Sequence, residues 1–322
     1  MKNVLVAGSI HPDGLALLQE ATGLNIQYVT EVSTQSMLPF IEDAHALLIR
    51  TQALPASYID KAKNLEIVSR HGVGYDAVDI DALNKRNIPL TIVGDVNSRS
   101  VAEHAITLIL AAARRIVLFD DKIRHGDWNY RNSLDASEVD GKTLLIIGFG
   151  RIGKRVAQIA NALSMRVVVF DTFVDEADIR QYQCEPVATL DGGLRQADIV
   201  TLHIPSNSKV PLIGANELAV IKKGAILVNT ARGSLIDEQA LVKSLNCGHL
   251  TAAALDVLND EPPHVDNPLL ANKRVILTPH NAGLSEETAC RMAKAAAKNI
   301  LDYFDGQLNP NLVVNKFSSV IG

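Results

Sequence analysis

Residues 144–153 read Leu144-Leu145-Ile146-Ile147-Gly148-Phe149-Gly150-Arg151-Ile152-Gly153. Four aliphatic residues in a row predict a strand covered on both faces. The glycines that follow are spaced as a phosphate-receiving turn. Gly148 permits a tight turn, Gly150 lets the backbone approach a pyrophosphate, and Gly153 lets helix and strand pack closely. A helix is predicted over 151–163. Its positive end would meet the pyrophosphate, with the backbone amides of Arg151 and Ile152 at hand. A second strand over 166–170 ends at Asp171, eighteen residues after Gly153. A carboxylate there accepts hydrogen bonds from a ribose diol and repels a 2′-phosphate. Thr172 follows in place of an arginine, so NAD is favoured over NADP. Glycine-rich turns are common, but strand, loop, helix, strand and acid in this order single out a dinucleotide site.

Around this unit, short β-rich runs alternate with helical stretches. Strands are predicted at 4–7, 46–50, 67–70, 144–147, 167–170, 199–202, 226–228, 252–255 and 275–277. Alternation of this kind implies parallel sheets with crossover helices, an α/β architecture. Two long helices look like connectors. The first is expected to begin at Ser100, with Glu103 at capping-box spacing. The second starts near Ser285, with Glu286 and Glu287 in its first turn, and ends at Gly306. A nucleotide domain over 100–291 is thus expected to be inserted into a smaller domain made of 1–99 and 292–322, with the active site in the cleft between.

The chain has 322 residues, 47% hydrophobic and 21% charged, with net charge −5. That length suits two domains. The negative balance gives a nucleic-acid partner no support. Apolar runs are strand-sized or carry charges, so no membrane span is expected. The N-terminus lacks a signal-peptide pattern, and Cys184, Cys247 and Cys290 are odd in number and far apart. They read as reduced thiols in a cytoplasmic protein, not as a disulfide framework or zinc site, and no metal is expected.

Three further segments follow predicted strands: Asn229-Thr230-Ala231-Arg232-Gly233, Asp256 through Pro263, and Thr278-Pro279-His280-Asn281-Ala282-Gly283. Open α/β sheets place ligands at strand C-termini, so these segments can converge on one edge. Arg232 offers a planar cation for a carboxylate. His280 can take or give a proton near neutral pH, and Glu261 can stabilise its imidazolium. Together they suggest hydride transfer at a carbon bearing a hydroxyl next to a carboxylate.

With these motifs, and with His71-Gly72-Val73-Gly74-Tyr75-Asp76, Asn97 through Glu103 and His203-Ile204-Pro205, the chain resembles the NAD-dependent D-2-hydroxyacid dehydrogenases of the phosphoglycerate dehydrogenase kind. The resemblance covers essentially the whole length. It implies two Rossmann-like domains, with a doubly wound parallel-sheet nucleotide domain inserted into a smaller flavodoxin-like substrate domain. It implies that Arg232, Glu261 and His280 are catalytic. Gly148, Gly150, Arg151, Ile152, Gly153, Asp171, His203, Pro205, Thr230, Ala231, Asp256 and Gly283 would bind NAD, with Asp256 on the nicotinamide carboxamide. Val73 and Gly74 would offer amides to a substrate carboxylate, with Asn97 nearby. The resemblance also implies a homodimer, with the helix at Ser100 and the Trp128 region crossing to the other subunit. Serine feedback through an appended regulatory domain is not expected.

Arg50 and Arg70, at the ends of two predicted strands, favour a small 2-hydroxy or 2-keto acid with a second anionic group. The favoured substrate is 3-phosphoglycerate, and serine biosynthesis its setting. Alternatives are a hydroxypyruvate, glyoxylate or sulfolactate-type dehydrogenase, or a non-enzymatic NAD sensor akin to the related corepressors. His71, Tyr75 and a shortened 206–211 loop depart from the commonest family choices.

Overall fold

The computed structural model describes residues 1–31, 33–206 and 210–316. Its contacts divide the chain into unit 1, residues 1–97 and 284–322, and unit 2, residues 98–283. The chain crosses between them at 97/98 and 283/284. The second crossing differs from the expected 291/292 because the long C-terminal helix belongs to unit 1 as one piece.

Unit 1 carries β1 (Lys2–Ala7), β2 (Leu24–Val29), β3 (Ala46–Ile49), β4 (Ile67–Arg70) and β5 (Leu90–Thr91) in one parallel sheet ordered β2-β1-β3-β4-β5. This is the flavodoxin-like order, with its switch point between β1 and β3. Successive residues face opposite sides of a strand. Leu5, Leu47 and Ile49 therefore pack with Ile59 and Leu83, whereas Val4, Val6 and Leu48 pack with Leu18, Met292 and Ile300. Two helices cover the second face: α1 (Pro12–Glu20) and the long Glu286–Phe304 helix. Ser285 caps the long helix by accepting from the Thr288 amide, and Gly306 follows its end at φ +69°. Ser69 Oγ and Asn299 Nδ2 pin that helix to the sheet, bonding Ala296 O at 2.8 Å and Ile92 O at 3.0 Å.

Unit 2 carries β6 (Thr143–Ile147), β7 (Arg166–Phe170), β8 (Glu185–Pro186), β9 (Ile199–Leu202), β10 (Ile226–Asn229), β11 (Ala252–Leu255) and β12 (Val275–Leu277). Its sheet is parallel throughout, ordered β12-β11-β10-β9-β6-β7-β8. The chain runs outward from β6 to β8, then returns to β9 and runs outward the other way. The switch point lies between β6 and β9, where doubly wound sheets bind ligands. Leu144 and Ile146 pack with Ala105 and Ile109 of α2 (Ser98–Ala113) and with Val156 and Ala157 of α3 (Arg151–Ala162). Leu145 and Ile147 face the other way, with Leu218, Leu241 and Leu245. Truncating one of these fully buried leucines to alanine would cost about 2–5 kcal/mol.

Helix α2 begins at Ser98, not Ser100. Ser100 sits in its first turn, and its hydroxyl donates to Ala282 O at 2.7 Å, so the expected capping box does not form. Arg115, at φ +53°, separates α2 from the next helix, Ile116–Arg124.

Candidate active site

The glycine loop leaves β6 at the switch point, and each glycine has its own constraint. Gly148 has φ +96°, and an added Cβ would lie 2.7 Å from His203 O and 2.5 Å from Ile204 Cγ2. A Cβ on Gly153 would lie 2.1 Å from Gly148 O, which is why helix and strand can pack there. A Cβ on Gly150 would meet nothing of the other described residues within 4 Å, its chain neighbours aside. The room at Gly150 opens at the start of α3, whose first residues are Arg151 and Ile152. A tight turn, a close packing point and open space before a twelve-residue helix fit a bound pyrophosphate.

Asp171, at the tip of β7, braces this loop. Its Oδ2 accepts from the Phe149 amide at 2.7 Å, and its Oδ1 from Phe173 and Val174 at 2.7 and 3.0 Å. It stays partly exposed. His203 directly follows β9, with its amide on Ile147 O at 2.8 Å and its Nε2 3.0 Å from Thr201 Oγ1. Its Nδ1 is enclosed although part of the residue reaches solvent, and burial pushes the imidazole down to about 3. Pro205 lies exposed two residues on. Of the 206–211 segment, residues 207–209 lie outside the described residues, and Ser206 Oγ meets Ser234 Oγ at 2.7 Å.

The loops after β10, β11 and β12 gather on the same sheet edge. Buried Asn229 shapes the first: its Oδ1 accepts from Ala231 N at 2.9 Å and its Nδ2 donates to Arg232 O at 2.8 Å. Thr230 is buried just before Ala231, and Arg232 Nη1 donates to Ala231 O at 2.7 Å. Gly233 lets this loop meet the next one, since a Cβ there would lie 2.0 Å from Leu258 C. In that second loop Glu261 accepts from the Leu258 amide at 3.1 Å. Its other oxygen lies 2.6 Å from His280 Nδ1. Burial pushes the Glu261 carboxyl up, but the His280 hydrogen bond and charge, the Leu258 amide and the Arg232 charge outweigh it. The carboxyl is held below its usual range. An ionised Glu261 accepts a hydrogen bond from His280 Nδ1–H, which leaves Nε2 as the ring nitrogen available to a reactant.

Asp256, expected on the carboxamide, is 1% exposed and holds the third loop. Its carboxylate accepts from Thr278 Oγ1 at 2.6 Å, Asn281 N at 3.0 Å and Ala282 N at 2.9 Å. The backbone amide of His280 bonds Asp256 O at 2.8 Å. Gly283 ends this loop and unit 2 together. Asn229, Gly233 and His104 are the residues that sequence reasoning did not assign. The N-G pairing around Arg232 hinted at the first two, but His104 carried no signal.

The anionic-substrate candidates lie in unit 1. Arg50 stands at the β1/β3 switch point, where its Nη1 donates to Ser9 O at 3.0 Å and a Cβ added to Gly8 would lie 3.0 Å from its own Cβ. Arg70 folds over its own loop, with Nε on Gly74 O at 2.8 Å and Nη1 on His71 O at 3.0 Å. Val73 and Gly74 are half-buried on that loop, and Asn97 is the last residue before the crossing. His71 is 5% exposed, and neither ring nitrogen has a hydrogen-bond partner among the described residues. Elsewhere in unit 1, His11, Asp13 and Cys290 bring ligand-type atoms within 4.8 Å of one another. Lys294 Nζ already neutralises Asp13 there at 2.7 Å.

Residues 106–282 match the model of the family described as "D-isomer specific 2-hydroxyacid dehydrogenase, NAD binding domain". The chain is 36% identical over 315 residues to a D-3-phosphoglycerate dehydrogenase of Methanocaldococcus jannaschii, covering 97% of this chain and 59% of that protein. It therefore spans little more than half the length of that relative. It is 36% identical over 319 residues to a glyoxylate reductase of Aeropyrum pernix, covering 96% of this chain and 95% of that one. A solved D-lactate dehydrogenase of Aquifex aeolicus, complexed with NAD and lactic acid, has a TM-score of 0.88 at 26% identity, over 98% of this chain and 100% of that one. Identity above one third along nearly the whole chain, with the family model spanning most of unit 2, places this protein in the D-isomer-specific 2-hydroxyacid dehydrogenase family, with unit 2 as its NAD-binding domain.

Proposed function

We propose that the protein is an NAD-dependent dehydrogenase acting at C2 of a D-2-hydroxy acid, with 3-phosphoglycerate as the favoured substrate. The observation that carries this is the 2.6 Å contact between Glu261 and His280, on the sheet edge that also carries Arg232 and the glycine loop. NAD, when bound, supplies the hydride acceptor. Gly148, Gly150, Gly153 and the first amides of α3 would hold its pyrophosphate, Asp171 its ribose, and Thr230, Ala231, His203 and Pro205 would line it.

Glu261 fixes the imidazole through Nδ1. His280 Nε2 then takes the hydroxyl proton in oxidation or returns it to the ketone oxygen in reduction. The carboxylate of Glu261 stabilises the imidazolium formed. Arg232 grips the substrate carboxylate in a bidentate contact that a lysine would not reproduce. The amides of Val73 and Gly74, with Asn97, are assigned to the same small anion. Arg50 and Arg70 are assigned to its second charge.

One geometric fact favours a smaller substrate as a second reading. Arg70 already spends two of its donors on the carbonyls of Gly74 and His71. Glyoxylate or hydroxypyruvate would need less from it. NADH oxidation, followed by absorbance against 3-phosphohydroxypyruvate, hydroxypyruvate, glyoxylate and sulfopyruvate, decides. A kcat/KM at least about tenfold higher for the phosphorylated acid supports the first reading, and a preference for glyoxylate the second. Silence across the panel despite tight NADH binding would overturn both and leave an NAD sensor.

The exposed side chains of Ile116, Val117, Ile123 and Trp128 support a homodimer, because the Ile116–Arg124 helix buries none of its residues in the single chain. Three free thiols fit a reducing, cytoplasmic compartment. Among the described residues, no helix is long and apolar enough to cross a membrane.

A further inference from the structure

His280 is held in a costly conformation. Its φ is +50°, a left-handed value that non-glycine residues adopt only when their surroundings enforce it. The enforcing contacts can be followed outward. Asp256 takes the amides of Asn281 and Ala282, and the hydroxyl of Thr278, on its buried carboxylate. Thr278 has one hydroxyl proton, and at 2.6 Å it goes to Asp256 Oδ1. The Thr278 oxygen is therefore an acceptor toward its other neighbour, His104 Nε2, at 3.0 Å. His104 Nε2 also lies 3.6 Å from Asp256 Oδ1. The order is thus fixed: His104 Nε2–H to Thr278 Oγ1–H to the Asp256 carboxylate, a chain in which each bond polarises the next.

His104 does not act alone. Ser100 lies one helical turn before it on the same face of α2, and its hydroxyl holds Ala282 O at 2.7 Å. One helix face therefore clamps both ends of the Thr278–Ala282 turn, with His280 between the clamps.

We propose that His104, with Ser100, is a positioning residue for the catalytic imidazole, keeping His280 Nδ1 on Glu261 through Thr278 and Asp256; the inference rests on the dehydrogenase function proposed above. His104 touches neither Glu261 nor His280 in the contacts described, so its effect travels through the turn. Glutamine places an amide donor close to where the His104 Nε2–H stands, whereas leucine supplies bulk without a donor.

The test compares His104→Leu, His104→Gln and wild type in two measurements. In steady-state kinetics, His104→Leu should lower kcat on the order of 10- to 100-fold, the scale of a sub-ångström to ångström misplacement. Its KM and NADH affinity should stay near wild type, and His104→Gln should recover most of the loss. In proton NMR, the downfield ring N–H signal of the His280–Glu261 bond, identified by its loss in Glu261→Gln, should weaken or vanish in His104→Leu and return in His104→Gln. Wild-type kcat and an unchanged signal in His104→Leu would overturn the proposal. Equal loss in both variants would also overturn it, since bulk alone would then explain the effect. If wild type oxidises no NADH with any keto acid, the dehydrogenase function fails, while the NMR signal still decides whether His104 positions His280.

Discussion

His71 shows how a single side chain sets a pH limit on stability. Burial, then the charge of Arg50, holds its imidazole down at about 4, against about 6.5 when unfolded. Between those values the unfolded chain binds a proton that the folded chain refuses, so stability rises with pH across the window. The contribution is complete above pH 6.5 and is lost as pH falls toward 4. At pH 5 the loss is roughly 2 kcal/mol, from about 1.4 kcal/mol for each pH unit below the unfolded value. Denaturant titrations at pH 7 and pH 5 should show this drop in wild type and a smaller one in His71→Gln. An equal drop in both would mean that His71 titrates normally in the fold. The same scale shows what the sequence can disclose. Arg232, Glu261 and His280 were legible as candidates because each follows a strand within a distinctive motif. His104 was not, because its partner Thr278 is 174 residues away and nothing local marks the pairing. Asp256 was legible as a strand-tip carboxylate, but its role in holding the next loop depends on the order of strands in the sheet.

The glycine loop and α3 give a prediction at the scale of an element. Gly150 and Gly153 look equivalent in a motif, yet they face different neighbours. In Gly153→Ala the new methyl would enter the Gly148 carbonyl, forcing helix from strand at a cost of about 1–3 kcal/mol. Gly150→Ala meets no atom of the other described residues within 4 Å, its chain neighbours aside, so its fold should keep wild-type stability to within about 0.5 kcal/mol. Its methyl instead occupies the approach to the pyrophosphate, so NADH affinity should fall. Melting curves and NADH titrations on the two variants check this, and the opposite pattern would move the pyrophosphate elsewhere. Element by element, the continuous apolar strands of both sheets were readable because burial on two faces demands unbroken hydrophobicity. β2 escaped notice because this edge strand alternates with polar Asn25 and Gln27, and β5 and β8 because each is only two residues long. Ser100 looked like a cap because its spacing to Glu103 is right, but its hydroxyl satisfies Ala282 O instead.

For the whole molecule, both sheets are built from parallel strands whose order reverses direction once, as in doubly wound folds. The nested arrangement was legible from the two long helices flanking the motifs. The division point was not, because Ser285 and the residues after it pack as one rod on unit 1 and no composition shift marks position 284. The apolar side chains on the Ile116–Arg124 helix bear on assembly. In sedimentation equilibrium, wild type should have twice the 34.8 kDa chain mass, and Val117→Glu should shift the population toward a single chain. A wild type that stays at 34.8 kDa at micromolar concentration would remove the homodimer. The proposed role of His280 is to move the proton, with Glu261 holding its imidazole, while NAD accepts or NADH donates the hydride. Its most direct test is the rate of NADH oxidation by wild type and His280→Ala with the best keto acid, alongside NADH binding by fluorescence. Wild-type NADH binding with a turnover lower by roughly 10²–10⁴ in the variant is the expected result. Near-normal turnover in His280→Ala would contradict the account.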